Sequence, residues 1–305
     1  MDQKQKEALR KLGGPRLHFD RPMDGYTTFR VGGKAQALFF AERRDELPGM
    51  VSWLRQESIP YFVVGKGSNL LVRDEGFDGV VMILGGELAT VEKDRREKHG
   101  LLAGAGLGLA GLLRFCRRKG FAGLEFLAGV PGTVGGAVAM NAGAWGQEIE
   151  GVVRDIEMLT PKGDFTVQDR SKLSFRYRSL SIPEGSVIVS VTLALKHDSP
   201  EGIAQKLAHY LAQRKTTQPL DVPSAGSVFK NPPGDYAARL IEGAGLKGQR
   251  IGGAMISPKH ANFIVNTGGA TAEDILALID LARVRVQQEA GARLELELKV
   301  VGGRR

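Results

Sequence analysis

The sequence predicts an α+β protein built in two parts, and three features carry that prediction. Short apolar runs of strand character are interspersed with amphipathic helical segments as far as about residue 215. A stretch rich in Pro, Ser and Thr, TTQPLDVPSAG (216–226), then interrupts the pattern and is the best linker in the chain. Beyond it lies a compact helix-and-strand unit ending on an alternating run, RLELELKVV (293–301). With 305 residues and 42% hydrophobic content, the chain has apolar material for two or three cored domains.

In the larger part, AQALFF (35–40) and YFVV (61–64) read as strands around a helix over 45–58, which stops before Pro60. GVVMIL (79–84) and LLAGA (101–105) follow as strands. A helix over 109–120 then closes on glycine. Strands are expected near 152–160 and 186–195. Ser199, with Pro200 in the first turn, opens a helix running to about Lys215. In the smaller part a short helix is expected near Tyr236–Glu242 and a strand over NFIVN (262–266). Thr271 and Asp274 form a capping box for a helix to about Ala290, with Ile275, Leu278, Ile279, Ala282 and Val286 on one face. RLELELKVV is the expected last strand.

Charge and cysteine usage exclude several classes. The net charge is +8, but the basic residues are spread out. Their densest clusters, Asp94–Lys98 and the tail Arg304–Arg305, lack the interleaved aromatics of a nucleic-acid surface. A soluble surface with mild steering of an anionic small molecule fits better. The single cysteine, Cys116, sits among apolar neighbours and reads as a buried structural thiol in a reducing compartment. The charged N-terminus has no apolar leader segment, and no window approaches eighteen apolar residues. A cytoplasmic protein without membrane insertion is expected, and a monomer, since no coiled coil or marked apolar stripe argues otherwise.

Three local motifs mislead. Gly106, Gly108 and Gly111 make a literal GxGxxG with Glu125 nineteen residues past Gly106, but the intervening sequence leaves little room for the second parallel strand of a dinucleotide fold. Ser227 to Lys230 is a literal SxxK, yet Pro232 and Pro233 argue against the helix that acyl-transfer chemistry needs. The five histidines show no ligand spacing, so no metal is expected, and position 60 is proline where a P-loop would have glycine.

Two other stretches share a logic. VVGKGSNLLV (63–72) is a strand, a tight turn and a strand; GVPGTVGGAVAMNAGAWG (129–146) is longer. Both present amides without side chains beside a few fixed donors, Ser68, Asn69, Thr133 and Asn141. Such backbone can come within hydrogen-bond range of a phosphate. One glycine-rich turn is usually only a turn. Two suggest an anion or a dinucleotide cofactor cradled from both sides.

TTFRVGG (27–33), VGKGSNLLV (64–72), AGVPGTVGGAVAMNAGAWG (128–146), YRSLS (177–181), AGSVFKNP (225–232), KHANFIVN (259–266) and LELELKVVG (294–302) together resemble the UDP-N-acetylenolpyruvylglucosamine reductase family. The match runs nearly the whole chain in order. Its brevity and KHANF are similar to the family's shorter type, which lacks a tyrosine-bearing substrate loop. The resemblance implies a two-part FAD-binding domain of the vanillyl-alcohol-oxidase kind, subdomains 1–85 and 86–215, then a substrate-binding α+β domain over 216–305. The implied cofactor site comprises Gly65, Lys66, Gly67, Ser68, Asn69, Leu70, Gly129, Pro131, Gly132, Thr133, Gly135, Gly136, Asn141, Ala142 and Ala144.

The resemblance also implies chemistry in peptidoglycan precursor synthesis. NADPH is co-substrate and reduces FAD; the reduced flavin delivers hydride to the terminal alkene carbon of the enolpyruvyl UDP-sugar. Charge then builds on the conjugated carboxylate, so preorganised cations and donors there should matter most. By match Arg178 is the cation, whose planar fork suits a carboxylate. Glu297 is its companion, donating a hydrogen bond if kept protonated. Ser227 is the general acid at the carbon beside the carboxylate. Lys230, Asn231 and Lys259 are candidates for the UDP diphosphate and sugar. Alternation alone does not separate Glu297 from Glu295, and Gln218 stands where longer relatives present a lysine.

Overall fold

The computed structural model describes residues 1–303, so the Arg304–Arg305 cluster lies outside the described residues. The chain forms two compact units that are interleaved in sequence. The first comprises residues 1–19, 37–66 and 78–212, the second residues 20–36, 67–77 and 213–305. The last stretch of the second unit begins at Gln213.

The first unit opens with helix α1 (Gln3–Gly13), which no expectation covered; Asp2 and Gln5 close a capping box at its start. Helix α2 (Glu46–Gln56) buries Leu47, Met50, Val51 and Leu54, the i, i+3, i+4, i+7 spacing of a one-sided helix. A four-stranded sheet has the order Leu17–Pro22, Lys34–Ala41, Phe77–Leu84, Tyr61–Val63, its last pair parallel. A five-stranded sheet has the order Phe165–Asp169, Val153–Leu159, Val187–Ala194, Gly100–Gly104, Val91–Lys93. All its pairs are antiparallel. The near-continuous burial of Val187–Leu193 marks the middle strand as covered on both faces.

Helix α3 (Leu109–Lys119) ends on Gly120 in the left-handed conformation, as the closing glycine predicts. It buries Cys116, whose thiol is pushed up to about 12, first by burial and then by the nearby Glu125 carboxylate. That thiol is inert at neutral pH. A short helix, α4 (Val134–Ala139), rises inside the glycine-rich stretch that reads as loop in the sequence, with Thr133 as its N-cap. Helix α5 (Pro200–Thr217) follows.

The second unit holds α6 (Ala237–Gly243), a three-stranded antiparallel sheet (Arg250–Ile251, Ala254–Ile256, Ile264–Asn266) and α7 (Ala272–Ala290). It has its own core, in which Phe29, Leu71, Val228 and Phe229 join Ile275, Leu278, Ile279, Ala282 and Val286 of α7. No helix among the described residues is long and apolar enough to cross a membrane.

RLELELKVV is not one strand. Only Lys299–Val301 is, paired in parallel with Leu70–Val72. Upstream, the amides of Glu297 and Leu298 both donate to the Val228 carbonyl, at 2.9 and 3.2 Å. One carbonyl serving two amides interrupts the ladder, although Leu294 and Leu298 stay buried as the alternation demands.

The start of α7 is capped twice. Thr271 and Asp274 make the expected box, and the Asp74 carboxylate accepts from the amides of Ala272 and Glu273 at 2.9 and 3.0 Å. Asp74→Ala removes the second cap. It should lower stability by about 0.5–2 kcal/mol, read as a lower urea midpoint with an unchanged denaturant slope.

Candidate active site

In the first unit three glycine-bearing turns meet. The amide of Leu109 donates to the Gly132 carbonyl, Val134 to Leu107 and Gly135 to Ala105, at 2.9, 2.9 and 2.8 Å. These bonds lay the misleading Gly106–Gly111 motif against the long glycine-rich stretch. Approach this close requires bare backbone: a Cβ on Gly135 would sit 2.7 Å from that of Ala105, and one on Gly106 would strike the Leu84 carbonyl. The turn at Gly65 meets the same place, since its Cβ would strike the Thr133 hydroxyl. The two stretches that the sequence singles out thus adjoin.

What they leave unused is backbone N–H. Among the described residues, the amides of Gly65, Lys66, Gly129, Gly132 and Thr133 make no hydrogen bond. Such a set of side-chain-poor donors fits the phosphates of a dinucleotide cofactor. Other expected contacts are committed elsewhere. The Gly135 amide serves Ala105, and the Gly136 amide the Thr133 hydroxyl. The Ala142 amide serves the Ala137 carbonyl, and Ala144 pairs with Gln147 in a hairpin. Asn141 is likewise committed within the chain. It is fully buried, and its amide donates to Glu148 at 2.7 Å and to the Arg176 carbonyl at 3.2 Å while accepting from the Glu150 amide. Saturated in this way, it has no donor to offer a ligand.

Arg178 lies in the same unit, at the second position of a two-residue turn between Ser174–Arg176 and Ser179–Ser181. Its φ of 57° is left-handed, which a β-carbon disfavours. The side chain is only 18% exposed, with one donor 3.0 Å from the Gly143 carbonyl and another 3.5 Å from the Glu148 carboxylate.

In the second unit, Asn69 at the end of the shorter turn bonds directly to the segment bearing Glu297. Its side chain donates to the Glu297 carbonyl at 3.0 Å, and its own carbonyl accepts from Lys299 at 3.1 Å. The Glu297 amide in turn donates to Val228, the residue after Ser227. Gly226, at φ 76°, brings the Ser227 loop alongside the Ser68 carbonyl. Leu70 is buried in the strand paired with Lys299. The Gly67 carbonyl accepts from Thr28. Ser227, Glu297, Ser68 and Asn69 are therefore neighbours. Here the fold also separates what alternation cannot: Glu297 is half-buried, whereas the Glu295 side chain is 71% exposed and faces Lys230 at 4.0 Å.

Sequence reasoning gave Asn262 no role. Its side-chain amide grips both the N–H and the C=O of Phe229, at 2.9 and 2.8 Å, holding the Ser227–Lys230 segment extended rather than helical. The available signal was a polar residue opening an apolar strand. Asn231 accepts from the first amide of α6, and Lys259 donates to the Lys215 carbonyl in the last turn of α5, so both carry structural bonds.

Comparison with known proteins fits this geometry. Residues 35–167 match the model of an FAD binding domain, and residues 218–301 that of the UDP-N-acetylenolpyruvoylglucosamine reductase C-terminal domain. A UDP-N-acetylenolpyruvoylglucosamine reductase of Syntrophus aciditrophicus is 43% identical, covering 97% of this chain and 96% of its own. The chain belongs to this family. A relative of the same description from Heliobacterium modesticaldum is 44% identical over 92% of this chain and 89% of its own. The crystal structure of UDP-N-acetylenolpyruvylglucosamine reductase from Thermus caldophilus superposes with a TM-score of 0.81 at 42% identity, covering 93% and 98%. The fold is thus an FAD-binding domain of the vanillyl-alcohol-oxidase kind with the family's C-terminal domain, and the family is one of FAD-dependent oxidoreductases.

His260, beside Lys259, is packed edge-on against Phe263 at 4.8 Å, and its buried Nδ1 makes no hydrogen bond among the described residues. Burial, with a lesser push from Lys247, lowers its pKa below the ordinary 6.5. The unfolded chain then takes up the proton first, so stability falls as pH drops below about 6.5. Melting temperatures at pH 7.5 and 5.5 should differ less in His260→Gln than in the parent.

Proposed function

We propose that the chain reduces the enolpyruvyl group of UDP-N-acetylglucosamine enolpyruvate to UDP-N-acetylmuramate with NADPH as reductant, in the cytoplasm and as a monomer. The observation that carries this reading is the junction at Asn69. A turn suited to the cofactor is bonded to the segment of Glu297, and that segment to the loop of Ser227. A generic flavin-binding module has no use for such a trio.

The bare amides of Gly65, Lys66, Gly129, Gly132 and Thr133 are the groups that would hold the FAD phosphates, with Gly67, Ser68 and Pro131 beside them in sequence. FAD, when bound, supplies the hydride for the terminal alkene carbon. The residues of the chain manage the charge that results. The Arg178 guanidinium presents a fixed fork to the substrate carboxylate as charge accumulates there. Glu297, carrying its proton, donates a hydrogen bond to the same carboxylate. The Ser227 hydroxyl delivers its proton to the adjacent carbon; an enolate is basic enough to accept from an alcohol.

Lys230 is the best-suited diphosphate contact, because its 4.0 Å pairing with the exposed Glu295 is worth little. Asn231 and Lys259 can contribute only by sharing the structural bonds they already make.

The purified protein should be yellow and should oxidise NADPH in the presence of the enolpyruvyl UDP-sugar. Stopped-flow absorbance of Ser227→Ala should show flavin reduction by NADPH nearly intact and reoxidation by the UDP-sugar slowed roughly 10²–10⁴-fold. Equal slowing of both would make Ser227 structural, and a colourless protein that refuses FAD would remove the reading.

A further inference from the structure

Within the second unit, residues 223–230 run between two other segments, and Ser227 stands where the pairing slips. On one side Ser224 bridges antiparallel to Val265, and the Asn266 amide donates to the Pro223 carbonyl at 2.9 Å. The next bond on that side joins the Val228 amide to the Asn262 carbonyl, also at 2.9 Å. Residues 225–227 therefore stand opposite 263–264, which leaves one residue too many on the Ser227 strand. Gly226 takes up the excess: its φ of 76° is left-handed, the form of β-bulge that a glycine opens. Such bulges re-aim the side chain beside them.

Ser227 itself enters no hydrogen bond among the described residues, so its direction is set by its neighbours. On the other side, Phe229 bridges Leu296, and Lys230 donates to the Glu295 carbonyl at 2.8 Å. The Val228 carbonyl takes the Glu297 and Leu298 amides. Asn262 closes the bulge from the first side. Besides its carbonyl bond to Val228, its side chain accepts from the Phe229 N–H at 2.9 Å and donates to the Phe229 C=O at 2.8 Å. It is only 3% exposed. A slipped ladder leaves peptide groups unmatched, and the carboxamide stands in for the missing peptide.

We propose that Asn262 is a positioning residue for Ser227. By fixing the two residues that follow the Gly226 bulge, it sets the direction in which the Ser227 hydroxyl leaves the chain. The inference rests on the role given to Ser227 above.

Asn262→Asp keeps the shape of the side chain. Ionised, it sets an oxygen against the Phe229 carbonyl; protonated, it can accept and donate as the carboxamide does. Lys259 and His260 on the same turn, and Lys230, Glu295 and Glu297 on the segments joined to it, also carry or can carry charge. The readout is therefore the ratio of variant to parent at each pH. At about pH 9, flavin reoxidation by the enolpyruvyl UDP-sugar should be slowed roughly 10–100-fold. Flavin content, flavin reduction by NADPH and binding of UDP-N-acetylglucosamine should be unchanged. At about pH 6 most of the loss should be recovered, because burial favours the neutral carboxyl.

Gly226→Ala disturbs the bulge by another route. A Cβ there has room, 3.9 Å from the Ser68 carbonyl, so the substitution acts on the left-handed backbone alone. It should slow the same half-reaction without recovery at low pH. Either change combined with Ser227→Ala should be no slower than Ser227→Ala alone.

A defect in Asn262→Asp that ignores pH, that flavin reduction shares, or that multiplies with Ser227→Ala would overturn the inference. So would an Asn262→Asp chain that fails to fold at about pH 6, since Asn262 would then serve folding. A Ser227→Ala variant with unimpaired reoxidation would instead sink the reading of Ser227 itself.

Discussion

Irregular backbone has to bury its peptide groups without a ladder to pair them, and in this protein asparagine side chains meet that demand. An unpaired buried N–H or C=O is costly. A carboxamide carries one acceptor and two donors on a short stem, which makes it a movable peptide group. Asn262 pairs with Phe229 at both ends, as a neighbouring strand would. Asn141 does so between Arg176 and Glu150, and Asn266 between Phe29 and the Gly268–Ala270 turn. Asn69 reaches the Glu297 carbonyl. Three of these four, Asn262, Asn141 and Asn69, hold a segment that bears or adjoins a residue of the proposed chemistry.

Glycine is the other half of the same device. Where the turns of the first unit meet, the peptide planes come too close for a β-carbon, and the space is taken by backbone alone. What remains is a set of amides that make no hydrogen bond among the described residues. The glycine content therefore does two jobs. Gly65, Gly106 and Gly135 allow the turns to touch, whereas the amides of Gly129 and Gly132 make no hydrogen bond among the described residues. Composition sees only the sum.

This explains what could be read in advance. Helices α2, α3, α5 and α7 and the strands around them follow from apolar period and from end signals such as Gly120 and the Thr271–Asp274 box, which act within a few residues. The interleaving of the two units is invisible on that scale, because the residues at 20–36 and 67–77 join the C-terminal unit through partners some two hundred positions away, such as Ala272 for Asp74. RLELELKVV failed as a strand for a related reason. Alternation predicts which side chains are buried but says nothing of the partner, and the partner here is the irregular Ser227 loop. The separation of Glu297 from Glu295 likewise appears only once that loop is in place. Asn141 and Asn69 were legible as special, and the fold adds the bonds each makes within the chain: a polar residue amid glycines looks the same from the sequence whether it serves a ligand or the chain.

The charge of the site follows from these supports. Around Arg178 the guanidinium has the Gly143 carbonyl at 3.0 Å and the Glu148 carboxylate at 3.5 Å, and Asn141 donates to that carboxylate at 2.7 Å. Aspartate in place of Asn141 could not make these bonds. It would set an acceptor against the Glu148 carboxylate and the Arg176 carbonyl, and two carboxylates would then face one cation. The neutral amide is the side chain of that size which can donate to Glu148 and to a peptide carbonyl at once while still accepting from Glu150.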